Sequence, residues 1–246
     1  MKAAPTPKFK QQYDIHLKHL TLQGLRPKTI DAYARAVRDA GAYFDYAIDA
    51  LSEAQLTDYL HAVMQGRSAS TAKHRLYGLR FYYTHVLHKP LPAAKLVRTR
   101  AVQRLPNVLS VAEAGRVFAA TRVVSYRVLY FTLYSLGLRL GEGLRLEVGD
   151  IDAVRQRVHI RDAKGRKDRF VPLPAMTLTV LRRFWQLHRH PTLLFPSRQG
   201  GAQAAARATS HLDRGGVQVA LRKVVAECGL KKRLPHTACA TAMPRT

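Results

Sequence analysis

The stretch VHIRDAKGRKDRFVPL, residues 158–173, decides the architecture of this chain. Its apolar residues Val158, Ile160, Phe170, Val171 and Leu173 form two short runs flanking Ala163-Lys164-Gly165-Arg166. Short apolar runs around a glycine-bearing turn read as strand, turn, strand. Upstream the period is helical. Arg127 to Leu136 is an apolar helix ending at Gly137, the residue type that best takes a left-handed helix terminus. Before it, Ser110 and Glu113 form a capping-box pattern that opens a shorter helix. Downstream, Trp185, Leu187, Leu193, Leu194 and Phe195 add apolar material, Gln199 to Thr209 reads as a surface loop, and a last helix spans about Val217 to Cys228. The hairpin is the one good strand signal, so the expected fold class is mainly α with a small antiparallel β-sheet.

The first part of the chain reads as helices alone. Residues 1 to about 8, rich in Pro and Lys, are expected to form a loose basic arm. Pro27 and Thr29 precede a helical stripe of Ile30, Tyr33, Ala34, Val37 and Phe44, with Thr29 as the candidate cap. Ser52 and Gln55 form a second capping-box pattern before Leu56, Tyr59, Leu60 and Val63. Ser70 is expected to open a third helix, with Leu76, Leu79, Tyr83, Val86 and Leu87 on one face and Lys73, Arg75 and Arg80 on solvated faces. From Lys89 to Pro106, with Pro90, Pro92, Arg98, Arg100 and Arg104, no period survives. The expected organisation is a helical domain at residues 9–95, a linker at 96–106 and a mixed domain at 107–246.

A chain of 246 residues can bury two modest cores. Its 41 Lys and Arg against 16 Asp and Glu leave a formal charge of +25, an excess that repels itself until a polyanion neutralises it. Nucleic acid is the expected partner. No apolar run approaches the roughly 18 residues of a membrane span, and no signal-peptide pattern opens the chain, so a cytoplasmic, nucleoid-associated protein is expected. Cys228 and Cys239 lack zinc-type spacing with nearby histidines, which predicts neither a metal site nor a disulfide.

Two segments carry candidate chemistry. In Leu136-Gly137-Leu138-Arg139-Leu140-Gly141-Glu142, Arg139 can pair with Glu142 as a structural group or hold two phosphate oxygens with its planar fork. In Lys164-Gly165-Arg166-Lys167-Asp168-Arg169, charge is concentrated on the hairpin turn, where a flexible lysine can probe a groove. The ordered set Gly-Leu-Arg-x-x-Glu at 137–142, Lys-Gly-x-Lys-x-Arg at 164–169 before Val-Pro-Leu, and Pro-His-Thr at 235–237 resembles the tyrosine recombinases, the phage integrase family, in order and spacing. Arg26-Pro27-Lys28-Thr29 leading to Tyr33, and Leu79-Arg80-Phe81-Tyr82-Tyr83, resemble that family's core-binding domain.

The resemblance implies a helical, SAM-like core-binding domain and a catalytic domain that clamp double-stranded DNA, with protomers joined as a tetramer on it. A tyrosine attacks the scissile phosphate and a 3′-phosphotyrosyl intermediate stores the bond energy, so no cofactor is implied. By the same resemblance Arg139 is the first phosphate-binding arginine, Glu142 its support, Lys164 the general acid and His236 the histidine beside the phosphate. Fixed cations stabilise the charge that builds on the phosphorane more than they stabilise the ground state. The expected DNA contacts are Lys28, Lys73, Arg75, Arg80, Arg166, Lys167 and Arg169.

The pattern then departs from the family. After Pro235-His236-Thr237 the family has Leu-Arg-His, whereas this chain has Ala238-Cys239-Ala240-Thr241. Cys239 therefore stands at the second arginine, and the last tyrosine in the sequence is Tyr134, inside an apolar helix where a core role is expected. Ala-Cys-Ala-Thr can be encoded GCC TGC GCC ACG, which from its third base reads CTG CGC CAC, or Leu-Arg-His. The expectation is thus a C-terminally truncated recombinase in which residues 238–246 are out of frame and cleavage is lost. Two rival readings are a non-catalytic DNA-binding protein that competes for recombination sites and a generic basic nucleic-acid-binding protein.

Overall fold

The computed structural model describes residues 4–66, 69–92, 109–162 and 167–230. The chain divides into two compact units, Met1–Gln103 and Arg104–Thr246. Unit one is built from α1 (Pro7–Leu22), α2 (Pro27–Tyr43), α3 (Glu53–Gly66) and α4 (Ala69–His85). Helix α1 replaces the end of the expected loose arm. Thr6 caps it by accepting from the Phe9 amide at 3.2 Å, Pro7 sits in its first turn and Lys8 pairs with Asp49. Phe9, His16 and Leu20 are buried at helical spacing, and the polar His16 interrupts what would otherwise be a legible apolar stripe.

Helix α2 begins at Pro27 after Arg26, not under a Thr29 cap. The Thr29 amide already donates to the Arg26 carbonyl at 2.8 Å, so Thr29 lies inside the first turn. Helix α3 carries the expected capping box, with Ser52 N to Gln55 Oε1 at 2.9 Å and Gln55 N to Ser52 Oγ at 3.2 Å. Helix α4 includes Ala69 as well as Ser70 and packs chiefly on α2. Gly78 permits that approach, because a Cβ there would lie 2.5 Å from the Ala36 Cβ. Leu76, Leu79, Tyr82 and Tyr83 bury against Val37, Ala40, Ile48 and Leu56. The Tyr83 hydroxyl donates to the Ile48 carbonyl at 2.6 Å and accepts from the Leu51 amide at 3.2 Å, so its burial leaves no polar atom unpaired.

Unit two contains α5 (Val111–Ala120), α6 (Val124–Ser135), α7 (Leu140–Leu144), β1 (Ile151–Asp152), β2 (Arg157–Ile160), β3 (Arg169–Pro172), α8 (Ala175–His188), α9 (Gly201–Ala205) and α10 (Arg214–Glu227). The fold is mainly helical with one small antiparallel sheet, as expected. The sheet runs β1-β2-β3, pairing Ile151 with Val158, Val158 with Val171 and Ile160 with Arg169. Strand β1 is too short to leave a period in the sequence. Ser110 and Glu113 make the predicted box on α5 at 2.7 and 3.2 Å.

Two boundaries differ from the sequence reading. The expected loop at 199–209 contains the one-turn α9, and α10 starts at Arg214 because Asp213 accepts from the Gly216 amide at 2.6 Å. Leu129, Leu133, Leu138, Leu144, Val158, Ile160, Leu181 and Phe195 form the core between helices and sheet. Tyr130 ties α6 to α10 by donating to the Val217 carbonyl at 2.7 Å. Among the described residues no helix is long and apolar enough to cross a membrane.

Candidate functional site

The arginine of the first motif is placed by a helix end meeting a helix start. Helix α6 stops where Gly137 adopts φ 61°, and the Leu138 amide returns to the Leu133 carbonyl at 3.0 Å. Leu138 is fully buried, which pins the next residue. Arg139 is extended, at φ −70° and ψ 150°, and caps α7. Three residues on, Glu142 reaches back and accepts from the Arg139 amide through Oε2 at 2.8 Å. Gly143 lets this turn pack on α6, since a Cβ there would meet the Leu133 side chain.

Glu142 is the hub of the site. Its Oε1 also accepts from Arg139 Nη1 at 2.8 Å, so the backbone and the guanidinium of Arg139 are held by one carboxylate. A second arginine joins from the sheet. Arg169, which opens β3 opposite Ile160, donates Nη1 to Oε1 at 2.9 Å and Nη2 to Oε2 at 3.0 Å. The Glu142 side chain is 4 % exposed, against 34 % for Arg169 and 47 % for Arg139. Burial alone would push the Glu142 carboxyl up, but its bonds to Arg169 and to the Arg139 amide and guanidinium outweigh this and bring it down to about 2. The bond to Glu142 in turn raises Arg169 above the ordinary arginine value.

Arg169 therefore does not add its charge to the hairpin turn as the sequence reading placed it. Its side chain follows the inward face of the sheet and meets a buried anion. Spacing alone could not reveal this, because the register that aligns Arg169 with Ile160 is a tertiary fact. Lys164 and Arg166 lie outside the described residues, but both ends of their turn are braced. Asp162 N donates to Asp168 Oδ1 at 3.0 Å, and Asp168 Oδ2 lies 2.9 Å from His159 Nε2. These contacts hold the Asp168 carboxyl below its usual range, the Asp162 amide most. Lys167 is exposed beside them.

The buried Asp150 braces the same end of β2, where Arg161 follows Ile160. It accepts from Arg161 Nε at 2.7 Å and from the Glu147 amide at 2.9 Å. On the outward face of the sheet, the Arg157 guanidinium lies 4.1 Å from the centre of the Phe170 ring, and His159 stacks on that ring at 5.0 Å. Tyr134 is half-buried in α6 and packs edge-on against Phe118 at 5.9 Å, the core role expected of it. His236 and Cys239 lie outside the described residues.

In unit one the predicted DNA contacts separate into two groups. Lys73 and Arg80 share a face of α4 with Tyr77, Lys73 lying 5.7 Å from the Tyr77 ring centre and Arg80 exposed. Lys28 is exposed in the first turn of α2. Arg75 is not on a solvated face as expected. It is 7 % exposed, pairs with Asp39 and donates Nη1 to the Arg35 carbonyl at 3.1 Å. Its long stem is buried between α2 and α4 while its fork spans Asp39 and the Arg35 carbonyl, so Arg75 cross-links the two helices.

Comparison with known proteins adds a second line of observation. The profile of the phage integrase family matches residues 106–245, and that of its N-terminal SAM-like domain matches residues 13–93. The chain is 31 % identical over 241 residues to the tyrosine recombinase XerC of Xanthomonas campestris, covering 89 % of this chain and 70 % of that protein. It is 33 % identical over 135 residues to an integrase/recombinase of Escherichia coli, covering 54 % of this chain and 40 % of the relative. The chain spans about half the length of several curated relatives it matches. Among solved structures, a lambda integrase dimer bound to a core site superposes with a TM-score of 0.71 at 15 % identity, covering 94 % of this chain and 86 % of that one. A transposon Tn1549 integrase in complex with transposon end DNA superposes at 0.63 with 14 % identity, covering 93 % and 82 %. At such identities the likeness is one of fold.

Proposed function

The chain belongs to the phage integrase family, and from that premise we propose that it is a duplex-DNA-binding protein of the tyrosine recombinase type whose second unit grips a backbone phosphate through Arg139. One observation carries this reading. Glu142 holds both the backbone and one edge of Arg139, while the side chain stays about half exposed. An arginine fixed in this way meets phosphate oxygens without first losing its rotamer freedom. Lys164 on the braced hairpin acts as general acid toward the leaving oxygen, and His236 stands beside the phosphate. Residues 9–95 supply the DNA-binding domain, with Lys28, Lys73 and Arg80 as phosphate contacts, residues 96–106 link it, and residues 107–246 form the catalytic domain. Arg166 and Lys167 add contacts from the hairpin. Protomers assemble on the DNA, as related recombinases do.

In this reading the family reaction is strand cleavage and rejoining through a 3′-phosphotyrosyl link. Cleavage is expected to be lost through the second arginine position. Cys239 stands at the second arginine and supplies no charge to the phosphate. Bound without cleaving, the chain occupies recombination sites and competes with active recombinases. The test is a nicked suicide duplex, which traps the covalent adduct of an active recombinase. No adduct is expected, and an adduct overturns the non-cleaving assignment. Binding itself is checked by salt titration, with affinity for duplex falling about 10³-fold or more between roughly 50 and 200 mM salt if six or more phosphates are held. Equal affinity for duplex DNA and for RNA of the same length favours a generic basic nucleic-acid binder instead.

A further inference from the structure

We infer that Arg169 is a positioning residue for Arg139, acting through Glu142 and not through DNA. The inference rests on the reading that Arg139 holds phosphate. Glu142 offers two oxygens, and four donors fill them: the Arg139 amide, Arg139 Nη1, and both Nη groups of Arg169. The Arg169 fork meets the carboxylate end-on, which fixes the carboxylate plane. A fixed plane in turn fixes the one direction from which Arg139 Nη1 can donate. The clamp also joins two elements far apart in sequence, since Arg169 opens β3 and Arg139 caps α7.

Charge supplies the second half of the argument. A buried carboxylate beside Arg139 would by itself cancel the cation that a phosphate needs and would repel the phosphate. With Arg169 on the same carboxylate the cluster carries two positive charges against one negative. Glu142 can thus orient Arg139 without neutralising it, and one net positive charge remains for the ligand. Arg169 is the less exposed of the two arginines, 34 % against 47 %, as a residue turned to the interior should be.

A double-mutant cycle on the full chain tests this, using a short random-sequence duplex and measuring affinity across a salt series. Arg139→Ala is expected to weaken binding on the order of 10-fold and to lower the salt slope by about 0.9, the loss of one phosphate contact. Arg169→Met is expected to weaken binding severalfold when Arg139 is present and to have no further effect in the Arg139→Ala background. Should Arg169→Met fail to fold, Arg169→Lys keeps the charge and gives up the fork, and is expected to show a smaller loss that again vanishes without Arg139. Additive losses would mean that Arg169 touches DNA itself or supports only the fold, and would overturn the inference. So would a normal salt slope in Arg169→Met alongside a reduced one in Arg139→Ala. An unchanged slope in Arg139→Ala overturns the phosphate role of Arg139, and the inference with it.

Discussion

Glu142 combines near-complete burial with full ionisation, and a buried carboxylate is tolerable only while its donors stay in place. Its folded-state carboxyl sits at about 2 against an ordinary 4.5, so the unfolded chain binds the proton first on acidification. The stability this supplies is complete above about pH 4.5 and is lost as pH falls toward 2. Glu142→Gln is therefore expected to destabilise unit two by on the order of 1–3 kcal/mol at neutral pH and to flatten its acid dependence between pH 4.5 and 2. Urea midpoints at stepped pH values check both, and a substitution that leaves the acid slope intact would show that other carboxylates set it. The motif Gly-Leu-Arg-x-x-Glu already paired Arg139 with Glu142, because three residues separate a helix cap from its returning carboxylate. Arg169 entered only through the sheet register.

Helix contacts set the next scale. Gly78 is where α4 meets α2, and Gly78→Ala would place a Cβ 2.5 Å from that of Ala36 and 3.1 Å from the Tyr33 backbone. Because the backbone of Tyr33 cannot give way as a side-chain tip would, this substitution is expected to cost about 1–3 kcal/mol despite alanine's better helix propensity. Chemical denaturation of the variant measures it. On the outer face of the same helix, Lys73→Met and Arg80→Met are expected to leave stability nearly unchanged and to lower the DNA salt slope by about 0.9 each, uniformly across duplex sequences. A slope change in only one sequence would make them base readers. The capping boxes at Ser52 and Ser110 were legible because both partners lie three residues apart. Helix α1 was not, since its stripe passes through His16.

At the scale of the molecule, two units carry separate cores, one around Leu56, Leu79 and Tyr82 and one around Leu129, Leu138 and Phe195. Each holds its own buried titratable group. His16 is fully buried in unit one, and burial brings it down to about 4, the Tyr33 backbone offsetting this only in part and neither ring nitrogen having a partner at hydrogen-bonding geometry among the described residues. The unfolded chain, with histidine near 6.5, takes the proton first, so unit one is expected to lose stability as pH falls from about 6.5 to 4. His16→Phe fills the same space against Phe81 and Tyr82 and is expected to remove that slope. Spectroscopically resolved unfolding is expected to show His16→Phe moving one transition and Glu142→Gln the other, with additive effects in the double variant. One common transition moved by both variants would mean that the units unfold as one.

The sequence by itself determined the helical first unit, the hairpin, two capping boxes and the pairing of Arg139 with Glu142, because each depends on residues within a turn or a strand length of one another. Its ordered motifs also determined the family, since order and spacing survive where overall identity does not. What only the tertiary structure decided is where each charge is committed. Arg75, Arg80 and Lys73 look alike along α4, yet Arg75 is buried on Asp39 while Arg80 is exposed. Arg169 follows Lys167 by two residues, yet it turns inward to Glu142 while Lys167 faces water. A charged side chain's role depends on which counter-charge lies across the fold. That partner is set by packing between elements, which no local period encodes.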